Sequence, residues 1–450
     1  MMMGLVYGKA AGSIHHICIE YLDGTEVGAT QTTTDDTLTL YLRAYNINNE
    51  LIGDIIGVWT VEEGIGTCTP AHGFSTTFDP TAPGAGTITA TDGVHTDTTG
   101  SITVSLGVLN SIRIEYLDGT EVAATQTTTD GTLSLCLRGY DADNNLIGDV
   151  AGTWTVDQGI GVCTPGYGTK TYFDPTKPGV GTITATDGSY TGTISPIIVD
   201  LGALSSIHIE YLDGTKVAAT QITTDDALTL CLRGYDADNN LIGDVAGTWT
   251  VSGGSPSGTG LENCEPGYGT KTYLNPTKPG TGTITATDGV WTDTTGPITV
   301  DLGALNSIRI EYLDGTEVGA TQTTTDNTMT LYLRGYDADN NLLGDVAGTW
   351  TVGGELGVCT PGYGTKTYFD PTQPGAGTIT ATDGSYTGTI GQITVYLGAL
   401  SSIRMEYPDY TEVVSTQTTT DDTLSLCLRG YDADNNLIGD IAGTWTVSSG

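Results

Sequence analysis

The sequence predicts an all-β protein, built as a tandem array of antiparallel β-sandwich domains. The first observation is a repeat: the tryptophan of a recurring GTWTV segment returns at steps of 95, 95, 101 and 95 residues between Trp59 and Trp445. This period exceeds the 20–50 residues of solenoid repeats, so each copy should be a small domain with its own core. The second is composition: 64 Gly, abundant Thr, and short runs of Val, Ile, Thr and Tyr favour strands and turns over helices.

The repeat divides the 450 residues into four complete copies and a fragment. One insertion, at 252–263, explains the single longer step. Apolar Leu in the short linkers, where a flexible tether would have Gly and Ser, favours closely stacked domains. The predicted segments are an N-terminal segment (1–12), repeat 1 (13–109), repeat 2 (110–204), repeat 3 (205–305), repeat 4 (306–400) and a partial repeat 5 (401–450).

Within repeat 2, apolar and polar residues alternate in several short runs, as in strands with one buried face. Trp154 should point into the core, because threonines flank it on both sides. The turn at 140–145 (YDADNN) is rich in residues that tolerate positive φ. About seven strands around one tryptophan are typical of an antiparallel sandwich. The predicted strands include 112–116, 133–138, 154–156, 170–173, 182–186 and one that ends near Val199.

The net charge of -38 is spread evenly over the repeats. A field of this sign repels nucleic acid and anionic membrane surfaces, so neither is expected as a partner. No apolar run approaches the roughly 20 residues that span a bilayer, so membrane insertion is not expected either. The N-terminus, MMMGLVYGKAAGS, is a poor secretion signal, so export should use a signal outside this chain, or the chain is a piece of a longer one.

Three segments of each repeat carry a resemblance to a known family. They are LRGYDADNN, GDVAGTWTV and PGVGTITATDG in repeat 2, with close copies elsewhere in the chain. In these segments the chain resembles the bacterial Ig-like repeat domains of invasin- and intimin-type surface proteins and of S-layer and cell-wall proteins. The resemblance implies Ig-like sandwiches and a location at a prokaryotic cell surface or outside the cell. It does not separate stalk, spacer and adhesive roles.

No residue pattern predicts catalysis. The five histidines do not recur from copy to copy, and no nucleophile motif, phosphate-binding loop or Cys/His metal spacing occurs. The chain is therefore expected not to be an enzyme, although a catalytic domain outside this stretch would leave no trace in it.

The turn at 140–145 and its equivalents in the other copies, here called the acidic turn, carry aspartates at one spacing. Two interpretations of these aspartates are open. Crowded carboxylates suit Ca²⁺, whereas Asp is also simply a good turn former. In Ig-like topology the acidic turn and the TATDG turn share the end that faces the preceding domain, so the first interpretation predicts calcium at the domain junctions. The candidate ligands are Asp141 and Asp143; Asp236, Asp238 and Asp288 near Asp200; and Asp337, Asp339 and Asp383 near Asp301.

The eight cysteines do not form a simple framework. Repeats 2 and 3 could each close an internal pair, Cys136–Cys163 and Cys231–Cys264. Four thiols are left without a mate and are candidates for cross-links between chains or for unpaired surface thiols. They are Cys18, Cys68, Cys359 and Cys427.

Two functions remain open for this chain. The first is a structural protein, a rod, self-assembling fibre or surface layer whose partner is a second copy. The second is an adhesin that binds carbohydrate or a host protein, with the insertion 252–263 as the best candidate. Calcium is the single cofactor considered.

The last copy stops partway through the predicted fold. Leu424, Leu426, Leu428 and Trp445 should then face water, and a half-sandwich is not expected to be stable alone. We therefore expect the chain to continue, or another subunit to complete the fold by donating strands.

Overall fold

The computed structural model describes residues 12–252, 261, 263–414, 418–419 and 421–448. All of the regular secondary structure in this part of the chain is β-strand, which confirms the all-β prediction. The chain forms two compact units, Met1–Ser206 with Tyr235–Ile242, and Ile207–Gly234 with Gly243–Gly450. The predicted domain boundaries stay predictions. No helix in the described residues is long and apolar enough to cross a membrane.

Repeat 1 begins the first unit, and its strands form three sheets. The sheet β1-β3-β8-β6, with β4 on β3, faces the sheets β11-β10-β5-β7 and β2-β12-β9. The strands are β1 (His16–Glu20), β2 (Thr30–Thr33), β3 (Leu38–Tyr45), β4 (Leu51–Asp54), β5 (Gly57–Val61), β6 (Gly66–Thr69), β7 (His72–Gly73), β8 (Ser75–Pro80), β9 (Gly84–Gly86), β10 (Ile88–Thr91), β11 (Thr96–Thr98) and β12 (Ile102–Ser105).

Repeat 2 has the same architecture with two sheets. One has the order β13-β15-β20-β18, with β16 on β15, and the other has the order β14-β22-β21-β17-β19. The strands are β13 (Ser111–Tyr116), β14 (Thr125–Thr128), β15 (Leu133–Tyr140), β16 (Leu146–Asp149), β17 (Gly152–Val156), β18 (Gly161–Thr164), β19 (Tyr167–Gly168), β20 (Lys170–Pro175), β21 (Gly179–Thr186) and β22 (Thr191–Asp200).

Repeat 3 supplies strands with the same order along the chain. Its β25 pairs with β29, and a second sheet has the order β24-β32-β30-β27-β28, with β31 on β30. The strands are β23 (Ser206–Tyr211), β24 (Thr220–Thr223), β25 (Leu228–Tyr235), β26 (Leu241–Asp244), β27 (Gly247–Ser252), β28 (Tyr268–Gly269), β29 (Lys271–Leu274), β30 (Gly280–Thr287), β31 (Thr292–Thr294) and β32 (Ile298–Asp301).

Repeats 4 and 5 belong to the second unit. Repeat 4 repeats the two sheets of repeat 2, and repeat 5 contributes one sheet, β43-β44-β45. The strands are β33 (Ser307–Glu311), β34 (Thr321–Thr324), β35 (Met329–Tyr336), β36 (Leu342–Asp345), β37 (Gly348–Val352), β38 (Gly357–Thr360), β39 (Tyr363–Gly364), β40 (Lys366–Pro371), β41 (Gly375–Thr382), β42 (Thr387–Tyr396), β43 (Ser402–Glu406), β44 (Cys427–Tyr431) and β45 (Leu437–Asp440).

The recurring tryptophan lies in the core of each complete repeat, as its flanking threonines predict. Trp154 is 4% exposed and packs with Leu135, Phe173 and Ile183, which are fully buried. Its indole N–H donates to the Gly168 carbonyl at 3.0 Å, so the one polar atom of the ring is satisfied. In repeat 5, by contrast, Leu424 and Trp445 are exposed, and Leu426 and Leu428 are half-buried.

A parallel strand pair was not expected from the sequence. β14 runs parallel to the end of β22, from Thr125 opposite Ile197 to Thr128 opposite Asp200. Its sequence, TQTT, is polar and lacks alternation, because the strand lies at the edge of its sheet. The same pairing joins β2 to β12, β24 to β32 and β34 to β42.

Candidate functional site: the junctions between repeats

The turn between β15 and β16 is the part of repeat 2 that contacts repeat 1. Its first residue, Asp141, is 1% exposed. The Oδ2 atom accepts a hydrogen bond from Thr34 Oγ1 of repeat 1 at 2.7 Å and one from the linker Gly107 N–H at 3.3 Å. A buried carboxylate without donors would be costly, so these donors hold the two repeats in one relative position.

Asn145, at the other end of this turn, completes the contact. Its Nδ2 donates to the carbonyl oxygen of Thr81 in repeat 1 at 3.0 Å and to Asp141 Oδ2 at 2.9 Å. Its backbone N–H donates to Asp141 Oδ1 at 2.8 Å. The same pair of side chains therefore closes the turn and fastens it to the preceding repeat.

The linker between repeats 1 and 2 is packed against both of them. Asp35 Oδ2 accepts a hydrogen bond from the Val108 N–H at 2.5 Å. A Cβ on Gly107 would lie 2.2 Å from Asp35 Oδ1, so glycine lets the linker approach this carboxylate without displacing it. On the other side, Leu109 packs on the core of repeat 2 and its carbonyl accepts a hydrogen bond from the Tyr190 hydroxyl at 2.9 Å. The linker is therefore not a free tether.

The same contact recurs at each boundary between repeats, and we call it the junction clamp. The hydroxyl-to-carboxylate distances at the other three boundaries are 2.6, 2.7 and 2.8 Å. The amide-to-carbonyl distances there are 3.0, 2.8 and 3.0 Å. The clamps consist of Thr34, Asp141, Asn145 and Thr81; Thr129, Asp236, Asn240 and Thr176; Thr224, Asp337, Asn341 and Thr277; and Thr325, Asp432, Asn436 and Thr372.

Burial and hydrogen bonding act in opposite directions on the clamp carboxylates. Burial alone would raise the pKa of Asp236, but the donors Thr129, Asn240 and Gly202 outweigh it and lower that pKa to about 2. Asp141 is shifted in the same direction by the equivalent donors. The clamp aspartates are therefore charged at neutral pH.

The second aspartate of the turn has the opposite shift. Burial raises the pKa of Asp143, and the charges of Asp141, Asp79 and Asp35 raise it further. The junction between repeats 3 and 4 has one carboxylate fewer in this group than the other junctions have, because Asn275 stands at the position equivalent to Asp79.

A buried ionic network supports the turn from inside repeat 2. Glu115, on β13, accepts hydrogen bonds from the Tyr140 hydroxyl and from Arg138, the latter at 3.2 Å. Burial, with the hydrogen bond to Glu115, raises the pKa of Tyr140 to about 12. Arg113 stacks on the Tyr140 ring and donates to Asn144, the turn residue with a φ of 64°. Equivalent contacts occur in repeats 4 and 5.

Seven of the predicted calcium ligands accept hydrogen bonds from groups of the protein. Asp141, Asp236 and Asp337 are clamp carboxylates that receive hydroxyl, amide and backbone donors. Asp143, Asp238 and Asp339 stand two residues after them in the turn. The remaining candidates accept hydrogen bonds within their own repeats: Asp288 and Asp383 from backbone N–H groups of their turns, and Asp200 and Asp301 from Gln126 and Gln221.

Among the described residues, no group of three or more His, Cys, Asp or Glu could hold a metal ion. Calcium at the junctions stays a prediction. The contacts of the aspartates agree with the other interpretation, in which these residues form turns.

The strand order separates the cysteines of both predicted internal disulfides. All eight cysteines are free thiols. Cys136 on β15 lies opposite Lys170, and Cys163 on β18 lies opposite Phe173, with β20 between the two strands. Two strand spacings, about 9–10 Å, already exceed the roughly 7 Å limit on the Cα separation of a disulfide. Cys231 and Cys264 flank β29 in the same way.

The other thiols are partly buried. Burial, as the main cause, raises the pKa of Cys18, Cys68 and Cys359 to about 11. A cross-link between chains through these residues or through Cys427 stays a prediction.

Sequence reasoning missed half of each clamp. It identified the aspartate, but it assigned no role to the threonine that contacts it. The available signal was that the stretch TQTTTDG keeps Thr129 and Asp130 at the same offset in the other copies, including Thr34 with Asp35. A conserved offset between repeats indicates a shared contact even where no apolar alternation exists.

Each complete repeat has two facing layers of strands, and in one layer the first strand along the chain runs parallel to the last. This topology defines the fold. These repeats are Ig-like β-sandwiches. No protein-family model and no curated protein matches the sequence of the Ig-like repeats.

Solved structures with Ig-like modules are similar to the chain at low identity. The Escherichia coli adhesin FdeC is 16% identical, with 64% of this chain and 99% of the solved FdeC chain covered and a TM-score of 0.32. Invasin, a bacterial integrin-binding protein, is 15% identical over 82% of this chain and 78% of its own, with a TM-score of 0.30. Domains 4–9 of the surface-layer protein SbsC are 14% identical over 97% and 78%, with a TM-score of 0.21. At these identities and TM-scores the matches carry no argument about function.

Proposed function

We propose that this chain is a non-catalytic structural protein of a prokaryotic cell surface, a stiff extracellular array of stacked Ig-like repeats. The observation that carries the proposal is the junction clamp, which recurs at four boundaries with the same donors and acceptors. Domains on flexible tethers have no need of buried hydrogen bonds between them. A repeated clamp with a packed linker is instead what a rod of fixed geometry requires.

Surface charge supports the same proposal. A net charge of -38 keeps near-identical repeats soluble and repels anionic surfaces and nucleic acid. It also opposes non-specific association between parallel rods. Assembly with further copies, through strand donation or cysteine cross-links, stays a prediction within this proposal.

Electron microscopy of the full chain tests the proposal. Strand β22 has ten residues, so repeat 2 is at least as long as this strand. At about 3.3 Å per residue, four stacked repeats should form thin particles at least about 130 Å long. Rounded particles, or chains that bend at random at the boundaries, would contradict a stiff array.

A second candidate function, an adhesin, is favoured by one cleft. About 520 Å³ of open space lies between repeats 3 and 4, lined among others by Asn275, Asn306, Asp225 and Tyr386. Its volume is within the roughly 300–1,000 Å³ of small-molecule sites, and amides, carboxylates and a tyrosine ring suit a carbohydrate. The insertion 252–263, the earlier candidate, lies mostly outside the described residues.

A glycan array with the full chain tests this second function. A bound glycan that is lost in both Asn275→Asp and Tyr386→Ala would support it. Binding that survives both substitutions would place the ligand elsewhere, and no binding at all would leave the structural function alone.

A further inference from the structure

The parallel pair β14 and β22 links the two ends of repeat 2. β22 is the last strand of the repeat and leads into the linker to repeat 3. β14 runs in the same direction beside it for four residue pairs. Both strands therefore end at the side of the repeat that faces repeat 3.

Tension along the chain would load this pair in shear. A pull on the linker draws β22 along its own axis, while a pull from repeat 1 holds the beginning of repeat 2 in the opposite direction. Hydrogen bonds between strands that slide along their axes carry the load together, whereas those of a hairpin pulled apart from one end break one after another. The pair is thus placed where its bonds resist a pull collectively.

The clamp of the following repeat joins the ends of these two strands. Thr129 directly follows β14, and its N–H donates to the Asp200 carbonyl of β22 at 3.0 Å. The hydroxyl of Thr129 donates to Asp236 Oδ2 at 2.6 Å, and the N–H of Gly202, just after β22, donates to the same oxygen at 3.3 Å. One carboxylate oxygen of repeat 3 therefore contacts the ends of both parallel strands of repeat 2.

We propose that each junction clamp is a tension tie, which passes a pull from one repeat to both parallel strands of the repeat before it. Without the tie, the linker pulls on β22 alone and shears it past β14. With the tie, both strands are drawn together and stay in register, so more hydrogen bonds must break before the repeat opens. This activity, resistance to mechanical unfolding, rests on the proposed function as an extracellular rod, and it gives the acidic turn a role beyond orientation.

The arrangement is the same at the other boundaries. In each case a threonine follows the first parallel strand, donates its N–H to the last strand, and donates its hydroxyl to the clamp aspartate of the next repeat. The glycine N–H after the last strand reaches the same oxygen at 3.3 Å. The residues are Thr34, Gly107 and Asp141; Thr224, Gly303 and Asp337; and Thr325, Gly398 and Asp432.

Single-molecule force spectroscopy on the full chain, held at its two termini, tests the tie. One variant replaces the clamp hydroxyls and keeps the backbone hydrogen bonds: Thr34→Val, Thr129→Val, Thr224→Val and Thr325→Val. The matched control replaces the same number of exposed threonines on the strands that carry the tryptophan: Thr60→Val, Thr155→Val, Thr250→Val and Thr351→Val. Far-ultraviolet circular dichroism confirms that both variants are folded before they are pulled.

We expect the clamp variant to unfold at least about tenfold faster than the natural chain at the same constant force, because each tie loses a hydrogen bond to a charged group. The control should unfold at the natural rate. Equal rates for the clamp variant and the natural chain would overturn the tie, and so would an equal acceleration in the control.

The two proposals can fail separately. If the chain is extended in electron micrographs but the clamp substitutions do not change its unfolding rate under force, the proposed structural function stands and the tension tie is wrong. A chain that is not extended loses the proposed function, whatever the pulling experiment shows.

Discussion

At the residue scale, Trp154 packs in the core of repeat 2, and Asp236 of repeat 3 forms hydrogen bonds with repeat 2. Trp154 fills the space between the two sheets. Asp236 accepts hydrogen bonds from residues of repeats 2 and 3. Both residues are almost fully buried, so a change at either of them should have an effect far larger than a change at the surface.

The substitution Trp154→Ala should destabilise its repeat by about 3–5 kcal/mol, the usual range for emptying a large aromatic site. Urea unfolding monitored by circular dichroism measures the free energy. Tyr172→Ala is the control, because Tyr172 is 57% exposed; it should change the stability by less than about 0.5 kcal/mol. A loss below about 1 kcal/mol for Trp154→Ala would contradict the position of this residue in the core.

Acid should open the junctions at a pH that follows from the clamp carboxylate. The folded-state pKa of Asp236 is lowered to about 2 from a usual value near 3.8. A group with a lowered folded pKa stabilises the closed junction above its unfolded pKa, and this stability is lost as the pH falls through the folded pKa. We therefore expect closed junctions at pH 5 and progressive opening between about pH 4 and pH 2.

Carbon-detected NMR titration of the aspartate carboxyls measures this directly. Asp187 is an exposed turn aspartate whose pKa is lowered by the backbone N–H groups of Tyr190 and Ser189, and it serves as a second titrating group outside the clamps. A titration midpoint for Asp236 at or above pH 3.8 would mean that the hydrogen-bond donors do not stabilise its charged carboxylate in solution.

At the scale of strands, the sequence predicts the elements that alternate and misses those that do not. β13, β15, β17, β20 and β21 show one buried face, so their existence and approximate ends could be read from the pattern. β14 could not, because an edge strand of Thr and Gln has no apolar face to reveal it. The clamp threonines lie just after such edge strands, which is why half of the site was missed.

The order of strands within a sheet could likewise not be predicted from the sequence. Cys136 and Cys163 looked like partners because both recur, but β20 separates their strands. Position along the sequence gives the spacing of residues, whereas the pairing of strands depends on how the two sheets close over the common core.

The thiols give a direct test at this scale. We expect all eight cysteines to be free, and those of the β18 position to react slowly, because burial raises the pKa of Cys163 to about 11. Ellman's reagent at pH 8 should label few thiols in the folded chain and eight after unfolding in guanidinium chloride without reductant. Fewer than eight in the unfolded chain would reveal a disulfide.

Calcium is the open prediction at the junctions. A cation at Asp141 would have to displace the Thr34 hydroxyl and the Gly107 N–H, which already occupy Oδ2. The clamp hydrogen bonds therefore predict the same melting temperature in millimolar Ca²⁺ and in chelator. A rise with Ca²⁺, reproduced in differential scanning calorimetry of the full chain, would restore the calcium interpretation.

At the scale of the whole molecule, near-identical repeats and identical clamps favour one geometry at every boundary. The repeat period predicts the modular architecture, and the short apolar linkers predict close stacking, which stays a prediction. In the proposed array, the polar contacts at each clamp make the stacking specific, and the sequence alone does not bring these contacts together.

Small-angle X-ray scattering of the full chain, alone and with the four clamp threonines changed to valine, tests the central claim most directly. A rod of at least about 130 Å has a radius of gyration near 40 Å, whereas a compact protein of this length would have about 22 Å. The clamps predict that the natural chain scatters as one stiff rod near the larger value and that the valine variant needs an ensemble of bent shapes. A natural chain that is compact, or as flexible as its clamp variant, would contradict the claim that the clamps hold the repeats in line.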